Sequence, residues 1–137
     1  MENLNAFLME NADKPIREKE VFVSDRFKDS EGKPILFTIK LLSNDEINDI
    51  QKLATVEGKK GKRSIDMVRY KNGIVISALV NPPLNSSKLQ DSYGVIGELD
   101  LLNKMLVGSE VNRLFAAIVK FNDLDADFDE KVDEAKN

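Results

Sequence analysis

Apolar residues alternate with polar ones in only two short stretches of this chain, residues 19–27 and 35–42. Almost everywhere after them the apolar positions recur every third or fourth residue. The first pattern predicts half-buried strands and the second predicts amphipathic helices. In the first strand Val21 and Val23 alternate with Phe22 and Ser24. In the second, Ile35, Phe37, Ile39 and Leu41 face one way, and Thr38 and Lys40 the other. Between them Asp29-Ser30-Glu31-Gly32-Lys33-Pro34 has turn composition. An antiparallel hairpin is expected. Because a lone hairpin is marginal in water, its apolar face must rest on helices.

The helical stretches begin and end on recognisable signals. Ser43-Asn44-Asp45-Glu46 spells a capping box, in which the Ser43 side chain and the Glu46 carboxylate each satisfy an orphan amide. The helix it opens should bury Ile47, Ile50 and Leu53 and end between residues 56 and 58. A basic loop, Lys59-Lys60-Gly61-Lys62-Arg63, follows. A central helix is expected over 64–80, lined by Ile65, Val68, Val75, Ile76 and Leu79. Gly73 inside it costs about 1 kcal/mol against alanine, which a close helix contact would explain. Asn81-Pro82-Pro83 stops it. Helical turns are expected at 86–93, 98–106 and 109–122. Leu99, Leu102, Met105 and Leu106 line the second of these, and Val111, Leu114, Phe115, Ile118 and Phe121 the third. Phe128 and Val132 can line one more helix. Near the start, residues 3–11 form a short helix closed by Pro15, with Leu4, Phe7 and Leu8 on one face. That face is either core docked on the domain or a segment held ready for a partner.

The fold class expected is therefore α+β: an N-terminal antiparallel β-hairpin packed on a mostly helical body of about five or six short helices. Its length of 137 residues suits one domain, placed at residues 1–122, with 123–137 as an acidic tail or short helix. A composition of 42% hydrophobic and 32% charged residues is that of an ordinary globular protein.

Charge sharpens this division. From Asn122 onward seven acids face two lysines, a net −5 out of −4 for the chain, which leaves +1 for residues 1–121. A nearly neutral body lacks the basic face that nucleic-acid binding needs. The five residues 59–63 read more simply as a solvated loop than as an anion contact.

Chemistry is scarce. With no cysteine and no histidine, disulfides, thiolate sites, the usual neutral-pH base and the commonest metal ligand are all missing. Asp123, Asp125, Asp127, Asp129 and Glu134 occupy positions 1, 3, 5, 7 and 12 of a calcium loop. The sixth position, where the loop needs glycine, is Phe128. The acids are better read as helix-starting and solubilising charge. Asp45 with Glu46, and Glu98 with Asp100, are first-turn helix charges rather than a catalytic pair. No phosphate loop or nucleophile elbow occurs. We expect no enzyme, cofactor, metal or small-molecule substrate, and neither a signal peptide nor an apolar run long enough for a membrane span.

One set of features points further. Asn3-Leu4-Asn5-Ala6-Phe7-Leu8 precedes two strands, and Phe37-Thr38-Ile39-Lys40 leads to the helix capped at Ser43. Asn81-Pro82-Pro83-Leu84, Leu89, Tyr93-Gly94, Leu101-Leu102-Asn103-Lys104-Met105-Leu106, Gly108 with Glu110, and Glu134-Ala135-Lys136-Asn137 follow in order. In order and spacing the chain resembles the XkdN-like tail assembly chaperones of long-tailed phages and prophages of Gram-positive bacteria. It departs from them at Ile96-Gly97, where a proline-containing helix start is expected, and at Ser109, which splits the Gly-Glu pair.

The resemblance implies a non-enzymatic protein of the host bacterial cytoplasm, absent from the mature virion. It implies binding of the long, helical tape-measure protein before the tail tube forms; the apolar face of the terminal helix, Leu4, Phe7 and Leu8, is the expected partner-binding surface. A longer product made by frameshifting is common in the family. Ala135-Lys136-Asn137 can be encoded by a slippery string, and such an extension would recruit the tail tube protein. The competing readings are a minor structural tail component, tube or connector, that stays in the virion, and a small adaptor binding nucleic acid through residues 59–63.

Overall fold

A computed structural model describes residues 3–124. In chain order the elements are α1 (Leu4–Phe7), β1 (Glu18–Val21), β2 (Phe37–Lys40), α2 (Asn44–Ala54), β3 (Thr55–Glu57), β4 (Arg63–Ile65), α3 (Met67–Ala78), β5 (Leu79–Asn81), α4 (Ser87–Ser92), α5 (Glu98–Met105) and α6 (Gly108–Phe121). The architecture is α+β, with the β1–β2 hairpin near the start and helices dominating the rest.

The hairpin is antiparallel, with Glu18 opposite Lys40 and Val21 opposite Phe37. It is shorter than its alternation suggested. The first strand leaves the ladder after Val21 instead of running to residue 27, because Val23 and Ser24 turn inward and become buried. The turn at 29–34 closes locally. The Asp29 carboxylate accepts the amides of Glu31 and Lys33 at 2.8 and 3.0 Å, and Gly32 takes the left-handed conformation, φ +83°, that the turn requires. Of the four residues expected on one face of the second strand, Phe37 and Ile39 are fully buried, Leu41 is half-buried and Ile35 is exposed.

Two features were not expected. Residues 79–81 continue the apolar pattern of the central helix, yet they form β5, which pairs antiparallel with β2 and makes it the middle strand in the order β1-β2-β5. Pro82 disfavours helix at the residue before it, and β2 offers an unpaired edge. The second is a β3–β4 hairpin, Thr55 opposite Ile65 and Glu57 opposite Arg63. It replaces the helix end, loop and helix start expected at 56–64. The basic run is thereby its turn, with Lys60 and Gly61 both left-handed. The central helix starts only at Met67, capped by Asp66, whose carboxylate accepts the amides of Val68 and Arg69 at 3.0 and 3.1 Å.

The capping box at Ser43 is formed: Ser43 Oγ accepts the Glu46 amide at 3.1 Å and Glu46 accepts the Ser43 amide at 3.0 Å. Gly73 meets its expected purpose. A Cβ there would lie 2.8 Å from Ile50 Cγ2, so α2 and α3 touch where a side chain is missing. The core gathers Val23, Phe37, Ile39, Ile50, Tyr70, Ile74, Leu101, Leu102, Leu114 and Ile118. Three expected core residues lie outside it: Leu53, Val68 and Leu99 are exposed. One helical residue is a rotation of about 100°, and in each helix a neighbour holds the inward position. Ala54 displaces Leu53, Leu101 displaces Leu99, and Tyr70, Ile74 and Ala78 set the face from which Val68 is excluded.

Candidate functional site

The residues singled out as partner-binding stand on a segment the body does not bury. α1 is four residues long with none buried, and all of residues 3–20 are exposed. Leu4 is 52%, Phe7 74% and Leu8 40% exposed, and Met9 extends the apolar surface. The bonds holding this arm are local: the Leu8 carbonyl accepts the amides of Asn11 and Ala12, and the Asn11 side-chain amide donates to the Asn5 carbonyl at 2.7 Å. The body takes hold at Arg17, whose carbonyl accepts the Leu41 amide at 2.8 Å, and then through β1. Covering a Leu, Phe or Met side chain is worth about 1.5–3 kcal/mol. The folded chain alone does not recover that energy from the arm.

A second apolar surface lies beyond β1. Phe27, Phe37, Leu89, Tyr93 and Met105 enclose a cleft of about 230 Å³, with Ile35 in its wall. The Phe27 and Phe37 rings sit 5.9 Å apart. Sequence periodicity places Phe37 and Met105 in the core. It does not show that Phe27 and Tyr93, from unrelated segments, join them around an opening.

The strongest polar feature is a lock between the segment after β1 and the α5–α6 junction. Arg26 grips the Glu110 carboxylate with two donors, Nε at 2.9 Å and Nη2 at 2.6 Å, and Nη2 also donates to the Met105 carbonyl at 2.9 Å. Glu110 Oε1 accepts the Val107 amide at 2.9 Å, one half of a capping box, since valine has no side-chain acceptor for the other half. Arg113 donates to the Val23 carbonyl and lies 5.7 Å over the Phe22 ring. The bonds from Arg26 above all, then those from Ser24 and Val107, outweigh burial and pull the Glu110 carboxyl from an ordinary 4.5 down to about 2. A carboxylate so satisfied is a structural anion. It has neither the free lone pair nor the raised basicity of a general base. Nothing in the spacing of Arg26 and Glu110 announces a pair 84 residues apart.

The other acids have equally plain roles. Glu46 closes its capping box and meets Lys40 Nζ at 3.0 Å; the Ser43 amide, first, and Lys40 lower its pKa. Among the described residues no group of three or more His, Cys, Asp or Glu could hold a metal ion, and no helix is long and apolar enough to cross a membrane. The acids from Asp125 to Glu134, the expected Phe128–Val132 helix and Ala135-Lys136-Asn137 lie outside the described residues.

The arrangement is thus one of exposed apolar surface on a locked scaffold. The chain is 26% identical to the phage-like element PBSX protein XkdN of Bacillus subtilis (strain 168), over 96% of this chain and 93% of that protein. It is also 26% identical to the uncharacterized protein YqbN of the same strain, over 96% and 92%. The fold matches the crystal structure of the protein YqbN with a TM-score of 0.75 at 24% identity, covering 89% of this chain and 97% of that one. The sequence pattern of the phage XkdN-like tail assembly chaperones matches residues 4–136, nearly the whole chain. The chain belongs to that family.

Proposed function

We propose that this chaperone binds the tape-measure protein while the tail is being built, through an apolar arm, and performs no catalysis. The observation that carries the reading is the exposure of Leu4, Phe7, Leu8 and Met9 together on a segment the body does not cover. An apolar helical partner fits such a surface, because apolar side chains at i, i+3 and i+4 form one face that another helix can cover. The protein acts in the host bacterial cytoplasm and is left behind when the virion matures. A frameshifted longer product would bring the tail tube protein to the same complex.

Co-expression tests the reading. Phe7→Asp should abolish co-purification of the tape-measure protein while the variant keeps its melting temperature. Unchanged capture would remove the arm from the function. Purified particles separate this reading from a minor structural tail component: the chaperone is absent from them and the component present. For the longer product, the gene must hold a slippery string at codons 135–137 with an open −1 frame beyond, and mass spectrometry of induced cells must find a peptide across the shift.

A further inference from the structure

We infer that the cleft between Phe27, Phe37 and Tyr93, together with the exposed Ile96 beside it, seats an amphipathic helix whose apolar stripe is flanked by lysine or arginine. This seat presupposes the tape-measure protein as partner and is a second contact besides the arm. The loop after α4 is fixed on both sides of Ile96. The Val95 amide donates to the Gln90 carbonyl at 3.1 Å, and the Gly97 amide to the Gln90 side-chain oxygen at 3.0 Å. The Gln90 side-chain amide in turn donates to the Leu84 carbonyl at 2.9 Å. On this fixed loop Ile96 is 90% exposed. The Gln90 clamp thus holds a large apolar side chain out in water. A partner that covers it gains the burial and does not have to order the loop first.

Hollow and knob adjoin. Tyr93 lines the cleft, and the three residues from it to Ile96 span at most roughly 11 Å. Two turns of a helix rise by about the same length, so apolar side chains seven residues apart on one helix face can meet both. The cleft, about 230 Å³, takes one large apolar side chain, and Ile35 in its wall is half open to water. Charge specifies the flank of the partner's stripe. Residues 91–100 hold Asp91, Glu98 and Asp100 and no base. All three acids are exposed, and among the described residues none of them forms an ion pair. Cations beside an apolar stripe complement that surface, and an acidic partner is repelled by it.

Overlapping fluorescent segments of the tape-measure protein, titrated with the full chain and followed by anisotropy, carry the test. A segment with the stated pattern should bind. Ile96→Asn should weaken it roughly 10- to 100-fold, the burial of one large apolar side chain converted to affinity, with the melting temperature unchanged. Asp91→Asn, Glu98→Gln and Asp100→Asn together should weaken binding at low salt and flatten its dependence on salt. The bound segment should shift the methyl signals of Leu89 and Met105, which line the cleft. Unchanged affinity in Ile96→Asn, a salt dependence that survives the three neutralisations, or unmoved methyl signals would overturn the inference and leave the arm's role intact. No binding of any segment to the unaltered chain would overturn both it and the proposed function. Self-association that Ile96→Asn dissolves, with segment binding unaffected, would make the surface a contact between copies of the chain instead.

Discussion

Two stretches of similar length and little regular structure flank β1, and only the second is tied into the core. Residues 3–16 carry Leu4, Phe7, Leu8 and Met9 and leave all of them exposed. Residues 22–36 carry Phe22, Val23, Phe27, Ile35 and Leu36; Phe22, Ile35 and Leu36 stay exposed, but Val23 is completely buried and Phe27 packs on Phe37. Apolar content does not separate them. Polar anchors do: Arg26 on Glu110, Arg113 on the Val23 carbonyl and Asp29 on its own turn fix the second stretch, whereas among the described residues the arm's hydrogen bonds stay within itself. A stretch without regular ladder bonds must satisfy its backbone in some other way before its apolar side chains can be ordered.

The contrast can be broken at the lock. Glu110→Ala removes the acceptor for Arg26 and for the Val107 amide, and should lower unfolding stability by about 2–3 kcal/mol, measured by urea denaturation. Val23→Ala, in the locked stretch, should cost about 2 kcal/mol through the cavity it leaves. Either loss below about 0.5 kcal/mol would show that the stretch is not held as described.

The pH dependence sharpens the same point. Glu110 binds its proton less readily when folded, about 2 against 4.5, so the stability it contributes is full above its unfolded pKa. It is lost as pH falls from about 5 toward 2. Glu46 shifts in the same direction. The comparison is therefore with Glu110→Gln, whose stability should fall less steeply in that window. Parallel curves would deny the carboxylate its role. The smallest effect belongs to the arm: Phe7→Asp should change stability by less than about 0.5 kcal/mol. A larger loss would mean that the arm is core after all.

Much of the fold was legible because it is written locally. The box at Ser43 and Glu46, the stop at Pro82, and the stripes of Leu102–Met105 and Leu114–Ile118 each depend on neighbours within a turn or two. What was missed depends on distant partners. Leu79 and Val80 fit a helix as well as a strand, and only β2 decides between them. Thr55, Val56 and Ile65 are β-branched, yet three-residue strands are too short for alternation to show. The arm was legible as a stripe, but its exposure was not, since an amphipathic face states what could be buried and not whether anything covers it.

The two residues that follow β2 receive both outlying segments: the Leu41 amide holds Arg17 and the Leu42 amide holds Asn122. Mechanically, this puts the two attachment points at one end of the sheet. A pull between the arm and the sequence past α6 would not stretch the molecule along its strands. It would peel β1 from β2, beginning at Glu18 opposite Lys40 and proceeding one rung at a time toward Val21 opposite Phe37. Each rung would fail alone rather than with its neighbours, and the four-residue strand would open like a zipper under tension. The lock at Arg26 and Glu110, lying beyond Val21, would be the first thing to stop it.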